Sequence, residues 1–120
     1  MQQIKGVRFV IAVHDLEKSV EYYSKELGFT LLEEPPGWAF IGRESLVIML
    51  GECKDSKDPR KLGDHSYFSY VNVENAEELF EEFASKNVTI RKELKSEPWG
   101  MKEFAIETID GHRIMFGEGF

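Results

Sequence analysis

The sequence predicts an α+β fold: two tandem βαβββ modules whose curved mixed sheets form a cleft. Three observations carry that expectation. Two amphipathic helical stripes occur, Leu16, Val20, Tyr23, Leu27 and Ala76, Leu79, Phe80, Phe83, each opening behind a capping residue, Asp15 and Asn75. One strand-like segment precedes each stripe and three follow it. Ile48-Met49-Leu50 closes the first series as Ile114-Met115-Phe116 closes the second, so a module of about half the chain is repeated.

The elements follow in order. Residues 4–13 read as a strand, alternating over residues 7–13 with Phe9, Ile11 and Val13 on one face and Arg8, Val10 and Ala12 on the other. Asp15 caps the first helix and Gly28 stops it. Residues 30–34 and 38–41 are short strands around Pro35-Pro36-Gly37. Residues 46–50 are apolar throughout, which predicts a strand covered on both faces. The polar stretch between residues 52 and 64, with Pro59 and no periodicity, reads as a mobile linker between a module of residues 1–51 and one of residues 65–120, together one domain. In the second module, residues 66–73 form a strand. Asn75 with Glu78 resembles a capping box, and Asn87 ends the helix in the left-handed conformation. Residues 89–93, 101–107 and 113–117 are the remaining strands.

The hairpin region Glu97–Gly111 concentrates the chemistry. Pro98-Trp99-Gly100 places a large aromatic at a turn. The alternation that follows puts Met101, Glu103, Ala105 and Glu107 on one face and Lys102, Phe104 and Ile106 on the other. Ile109-Asp110-Gly111-His112 closes the last hairpin, with Gly111 supplying the positive φ. A projecting Trp beside carboxylates suits a planar or cationic ligand. A Trp filling a core next to a solvated edge fits the same residues.

Composition narrows the function classes. The 120 residues carry a net charge of −7, which argues against nucleic acid and anionic membranes as partners. No apolar run reaches the roughly 20 residues of a membrane span. A single cysteine, Cys53, excludes an intrachain disulfide and suits a reducing, cytoplasmic setting. His14, His65 and His112 share no spacing that converges on a metal, and no base is visibly placed to activate Cys53.

The run Val13-His14-Asp15-Leu16-Glu17-Lys18-Ser19-Val20-Glu21-Tyr22-Tyr23, then Leu27-Gly28-Phe29, resembles the first-module signature of the vicinal oxygen chelate superfamily, which includes glyoxalase I, bleomycin-resistance proteins and extradiol dioxygenases. Phe104-Ala105-Ile106 and Asp110-Gly111-His112 are similar to its closing hairpin, with Ile109 where a Pro is usual. Glu97-Pro98-Trp99-Gly100-Met101-Lys102-Glu103-Phe104-Ala105 looks most like the bleomycin-resistance branch, with Met101 as an extra residue before the basic position. Enzymes of the superfamily bind a divalent metal through His and Glu on inward strand positions. At the matching positions this chain has Arg8, Met49, Phe68 and Met115, none a usable ligand, so the resemblance implies no metal and no cofactor.

The resemblance therefore implies a metal-free small-molecule binder akin to drug-sequestering proteins, a homodimer whose ligand is aromatic and cationic. The expected ligand-binding residues are Trp38, Phe40, Phe68, Tyr70 and Trp99 as stacking surfaces. Met49 and Met115 form an adaptable floor, Glu97, Glu103 and Glu107 are cation partners, and Arg8 needs a carboxylate or an anionic group if it faces the cleft. No catalytic residue is expected. A glyoxalase-type lyase or isomerase with displaced metal ligands, and a sensing or interaction domain without catalysis, are the alternatives.

Overall fold

The structure, a computed structural model, describes residues 1–120. The chain divides into two compact units, Met1–Ser56 and Lys57–Phe120. Each is a βαβββ module, as the repeat requires.

Unit 1 contains β1 (Phe9–Val13), α1 (Leu16–Lys25), β2 (Thr30–Glu33), β3 (Trp38–Arg43) and β4 (Leu46–Glu52). Its sheet has the order β1-β4-β3-β2, with β1 parallel to β4 and the other pairs antiparallel. Asp15 accepts from the backbone N–H of Lys18, and Gly28 takes φ 76° just beyond the helix, where the N–H of Phe29 bonds back to the carbonyl of Tyr23. One face of the sheet packs under α1 and buries Ile11, Val13, Ala39, Ile41, Ile48 and Leu50 beside Tyr23 and Leu27. The first strand is shorter than expected: residues 1–8 lie outside it and are exposed. β4 is not covered on both faces either. Ile48 and Leu50 are buried while Val47 and Met49 are half-exposed, because the apolar run sits in a sheet with a helix on one side only.

Unit 2 contains a single 3-10 turn (Pro59–Lys61), β5 (Ser69–Asn72), α2 (Ala76–Ala84), β6 (Thr89–Ser96), β7 (Met101–Glu107) and β8 (Arg113–Gly119). The sheet order β5-β8-β7-β6 repeats that of unit 1, with β5 parallel to β8. Phe104 and Phe116 stack with ring centroids 5.1 Å apart, and Phe83 of α2 meets both edge-on. Asn75 accepts from the N–H of Glu78. Asn87 does not take the left-handed conformation, since the only non-glycine residues with positive φ are Glu44 and His65. α2 ends instead on Ser85, whose hydroxyl donates to the carbonyl of Glu82, while the N–H of Lys86 reaches the carbonyl of Phe83.

A glycine–glutamate pair near the end of each last strand was not singled out from the sequence. Glu52 accepts from the N–H of Leu16 at 3.0 Å, and Glu118 accepts from the N–H of Ala76 at 2.9 Å. Each carboxylate thus caps the first turn of its own module's helix, where the helix dipole favours negative charge. The preceding glycines, Gly51 and Gly117, are each overlaid by an aromatic ring. A Cβ on Gly51 would meet the Trp38 ring at 2.9 Å, and one on Gly117 would overlap the Tyr70 hydroxyl.

The expected linker is pinned along its second half. Arg60 Nε reaches Glu107 at 3.0 Å, and its guanidinium donates to the carbonyls of Thr108 and Ile109. Buried Arg113 donates to the carbonyl of Gly63 at 2.9 Å and more weakly to those of Arg60 and Leu62. Two guanidiniums thus replace the sheet ladder that this polar segment lacks. No helix is long and apolar enough to cross a membrane.

Candidate functional site

The open faces of the two sheets carry most of the expected ligand-binding residues. In unit 1, register sets Val10, Met49 and Phe40 in one row and Ala12, Gly51 and Trp38 in the next. Trp38 and Phe40 meet edge-on with centroids 6.4 Å apart. Trp38 and Val10 are exposed, and so is Leu32, whose side chain lies over Gly42. The result is an apolar sheet face with an aromatic pair at one end. Arg8 precedes β1 and is solvated, so it carries no burial penalty that would demand a carboxylate partner.

Unit 2 gathers a polar cluster. Its open-face row runs Tyr70, Met115, Ala105, Lys92 across β5, β8, β7 and β6. Lys92 arrives there because β6 is irregular. Ile90 pairs with Ile106, Lys92 pairs with Ala105, and the intervening Arg91 is the extra residue of a bulge. A second irregularity lies between Lys92 and Lys95. Lys92 Nζ lies 2.8 Å from Glu103 and 3.0 Å from Glu97. The Tyr70 hydroxyl donates to the other oxygen of Glu103 at 2.5 Å. Lys95 approaches Glu97 at 3.5 Å from a mostly exposed position.

The turn that carries Trp99 is built from local bonds. The N–H of Gly100 bonds to the carbonyl of Glu97, and the N–H of Glu97 bonds to the carbonyl of Met101. Gly100 takes φ 85°, the left-handed conformation that closes a three-residue hairpin loop. Trp99 is held in solvent, 63% exposed, which decides against a core role for it. Lys92 Nζ sits 5.8 Å from the centre of its ring, within cation–π range.

Charge in the cluster is compensated. Burial disfavours the Glu103 carboxylate, but hydrogen bonds from Lys92 and Tyr70 outweigh it, with a further contribution from the Trp99 indole, and hold its pKa below the ordinary value. Lys92 likewise lowers the pKa of Glu97. Burial opposes the charged Lys92, yet the bonds to Glu103 and Glu97 raise its pKa above the ordinary lysine value. The Tyr70 hydroxyl is pushed well above the usual tyrosine range, first by burial and then by the anionic Glu103 that it serves.

The three expected cation partners already have partners within the chain. Glu97 and Glu103 share Lys92, a residue absent from the sequence expectations, and Glu97 also meets Lys95. Glu107 shares a face with Glu103, as the alternation requires, but belongs elsewhere: it pairs with Arg60 at 3.0 Å. Phe68 precedes β5 and packs edge-on to His112 at 5.9 Å. Tyr70, Glu97, Trp99, Glu103 and Met115 are brought together on unit 2, and Trp38, Phe40 and Met49 on unit 1. The β-bulge signal for Lys92 was faint: two basic residues, Arg91 and Lys92, interrupt an otherwise alternating strand.

Paired βαβββ modules with helix-free sheet faces define a class of small α+β proteins. Within it the family is settled by comparison: residues 6–116 match the Glyoxalase/Bleomycin resistance protein/Dioxygenase superfamily, and the chain belongs to that superfamily. A bleomycin resistance protein of Geobacillus stearothermophilus is 26% identical over 119 residues, covering 88% of this chain and 90% of the relative. A bleomycin-binding protein from bleomycin-producing Streptomyces verticillus, solved with copper(II)-bleomycin, superposes with a TM-score of 0.78 at 19% identity over the whole of both chains. The bleomycin resistance determinant encoded on transposon Tn5 gives 0.79 at 17% identity, covering 97% of this chain and 98% of that one. At these identities the structural likenesses establish the fold.

The divalent metal of the superfamily's enzymes finds no fitting donor set here. Arg8 is solvated and outside β1, Met49 and Met115 offer thioethers, Phe68 offers no lone pair, and no three His, Cys, Asp or Glu side chains gather where they could hold a metal ion.

Proposed function

We propose that this chain binds a small molecule with a planar aromatic part, non-catalytically and without metal, as a drug-sequestering protein does. The observation that carries the reading is Trp99: a large ring held in solvent by a rigid Pro–Gly turn, at the rim of a buried polar cluster. Holding an indole in water forgoes the stabilisation its burial would give, and a planar ligand recovers it by stacking, worth about 1 kcal/mol beyond area burial. Met115 beside Tyr70 adds an adaptable apolar contact on the same face. Trp38, Phe40 and Met49 offer a second aromatic surface on unit 1. The relatives named for bleomycin support the ligand class, and the apolar open face of unit 1 supports a homodimer.

The test is a titration with bleomycin-type compounds followed by Trp fluorescence, in wild type and Trp99→Ala. Micromolar binding in wild type, weakened about tenfold in the variant, is expected. Equal binding by both proteins places the ligand elsewhere, and no binding by wild type refutes drug sequestration.

A further inference from the structure

We infer that Lys92 Nζ is a built-in stand-in for an alkylammonium group of the ligand, and that the space between the Trp99 ring, Glu97 and Glu103 takes that group when Lys92 swings out. The inference rests on the ligand-binding reading above and adds the ligand's charged group and the device that admits it.

The site demonstrably accommodates an alkylammonium, because it holds one. Two carboxylates lie 3.0 and 2.8 Å from the nitrogen, and an indole face lies 5.8 Å away. Carboxylates with an aromatic face are the groups that recognise organic cations. The fixed and mobile parts are distinguishable. The side chains of Glu97 and Glu103 are 8% and 4% exposed, and Glu103 is further held by Tyr70. Lys92 is 27% exposed, sits on a long flexible stem, and belongs to β6, the edge strand of its sheet, between two register irregularities. The anions therefore stay while the cation has a route to solvent.

The exchange is also isoelectric. Removing Lys92 alone would leave Glu103 with only the neutral Tyr70 hydroxyl and Glu97 with only the mostly exposed Lys95 at 3.5 Å, one positive charge short for two buried carboxylates, which is unfavourable. An incoming ammonium restores the same charge and the same hydrogen bonds, and the released Lys92 is hydrated in the ordinary way. A neutral ligand of the same shape gains nothing from the exchange. Lys92 thus acts as a competitor that every cationic ligand must displace, lowering affinity and suppressing weak amines.

The experiment compares two acridines in wild type and Lys92→Met, one bearing an aminopropyl chain and one a butyl chain. Trp99 fluorescence is the readout. Wild type should separate them by less than about threefold, because the gain from the amine is offset by displacing Lys92. Lys92→Met should favour the aminopropyl compound by at least about tenfold, with the butyl compound unchanged. A neutral-cluster control, Lys92→Met with Glu103→Gln, should reduce that preference. Where the variant folds poorly, wild type with isotope-labelled lysines replaces it: on saturation with the aminopropyl compound, one lysine ε-methylene resonance should move to the position of solvated lysines. Binding of both compounds without discrimination in the variant, or a stationary resonance in wild type, overturns the exchange and leaves the aromatic-ligand reading intact. Binding of neither compound by either protein overturns both.

Discussion

Gly117→Ala tests the polar cluster without touching any of its charged members. Gly117 lies in β8 with an ordinary strand conformation, so alanine meets no backbone strain there. Its Cβ, however, would overlap the Tyr70 hydroxyl and lie 2.6 Å from Tyr70 Cζ. The neighbour is the far end of a side chain that is 42% exposed, so Tyr70 swings into solvent rather than distorting the sheet. That breaks the 2.5 Å bond to Glu103. A hydrogen bond to a charged group contributes about 1.5–3 kcal/mol, and the exposure of Tyr70 puts this one at the low end. Alanine recovers roughly 0.5 kcal/mol by restricting the unfolded chain. The net loss should be about 1 kcal/mol in urea unfolding at neutral pH. In a Tyr70→Phe background the bond is already absent, so the same Gly117→Ala should cost little or nothing, giving a coupling energy close to that of the bond, about 1.5 kcal/mol. A second readout is the tyrosine titration at 295 nm. The Tyr70 transition, raised in wild type by burial and by Glu103, should move down toward the ordinary value of 10.0 in Gly117→Ala. Additive costs within about 0.5 kcal/mol, together with an unchanged tyrosine titration, would refute the account of Tyr70 and Glu103.

Stability against pH should be flat across the neutral range and fall at both ends. Glu97 and Glu103 have depressed values, so their contribution is present above the ordinary 4.5 and lost as pH falls through the depressed folded values. Lys92 and Tyr70 have raised values, so theirs is present below the ordinary 10.5 and 10.0 and lost as pH rises through the raised ones. Glu103→Gln should shrink the acid limb in denaturant melts, and an acid limb of unchanged size counts against the ion pairing. Asp15→Ala and Asn75→Ala should each cost about 1 kcal/mol, and adding Glu52→Gln or Glu118→Gln in the same module should cost more, whereas no loss in thermal unfolding would show the caps to be idle. A chelator should leave the melting temperature unchanged, and one tightly held transition metal per purified chain would contradict the metal-free reading. Sedimentation at tens of micromolar, an order-of-magnitude range for such association, should show a dimer, and a monomer there would contradict the homodimer.

By itself the sequence determined what depends on near neighbours along the chain. Asp15 and Asn75 mark the helix starts because a short polar side chain can reach an N–H three residues on. Gly28 and Gly111 mark turns because their backbones take positive φ. The split of β7 into a Phe104–Ile106 face and a Glu103–Ala105 face follows from strand periodicity. From these the double βαβββ order follows, and with it the fold. Only the tertiary structure decided which charges meet. Lys92 reaches Glu103 because a bulge in β6 shifts it opposite Ala105, and one extra residue in a pairing leaves no trace in a hydrophobic pattern. Arg60 finds Glu107, 47 residues away, through a loop with no periodicity at all. Tyr70 reaches Glu103 across Gly117, a residue whose role is to have no side chain. The physical reason is the same in each case. Side-chain partners across a sheet are set by register and reach in space, and spacing along the chain encodes neither.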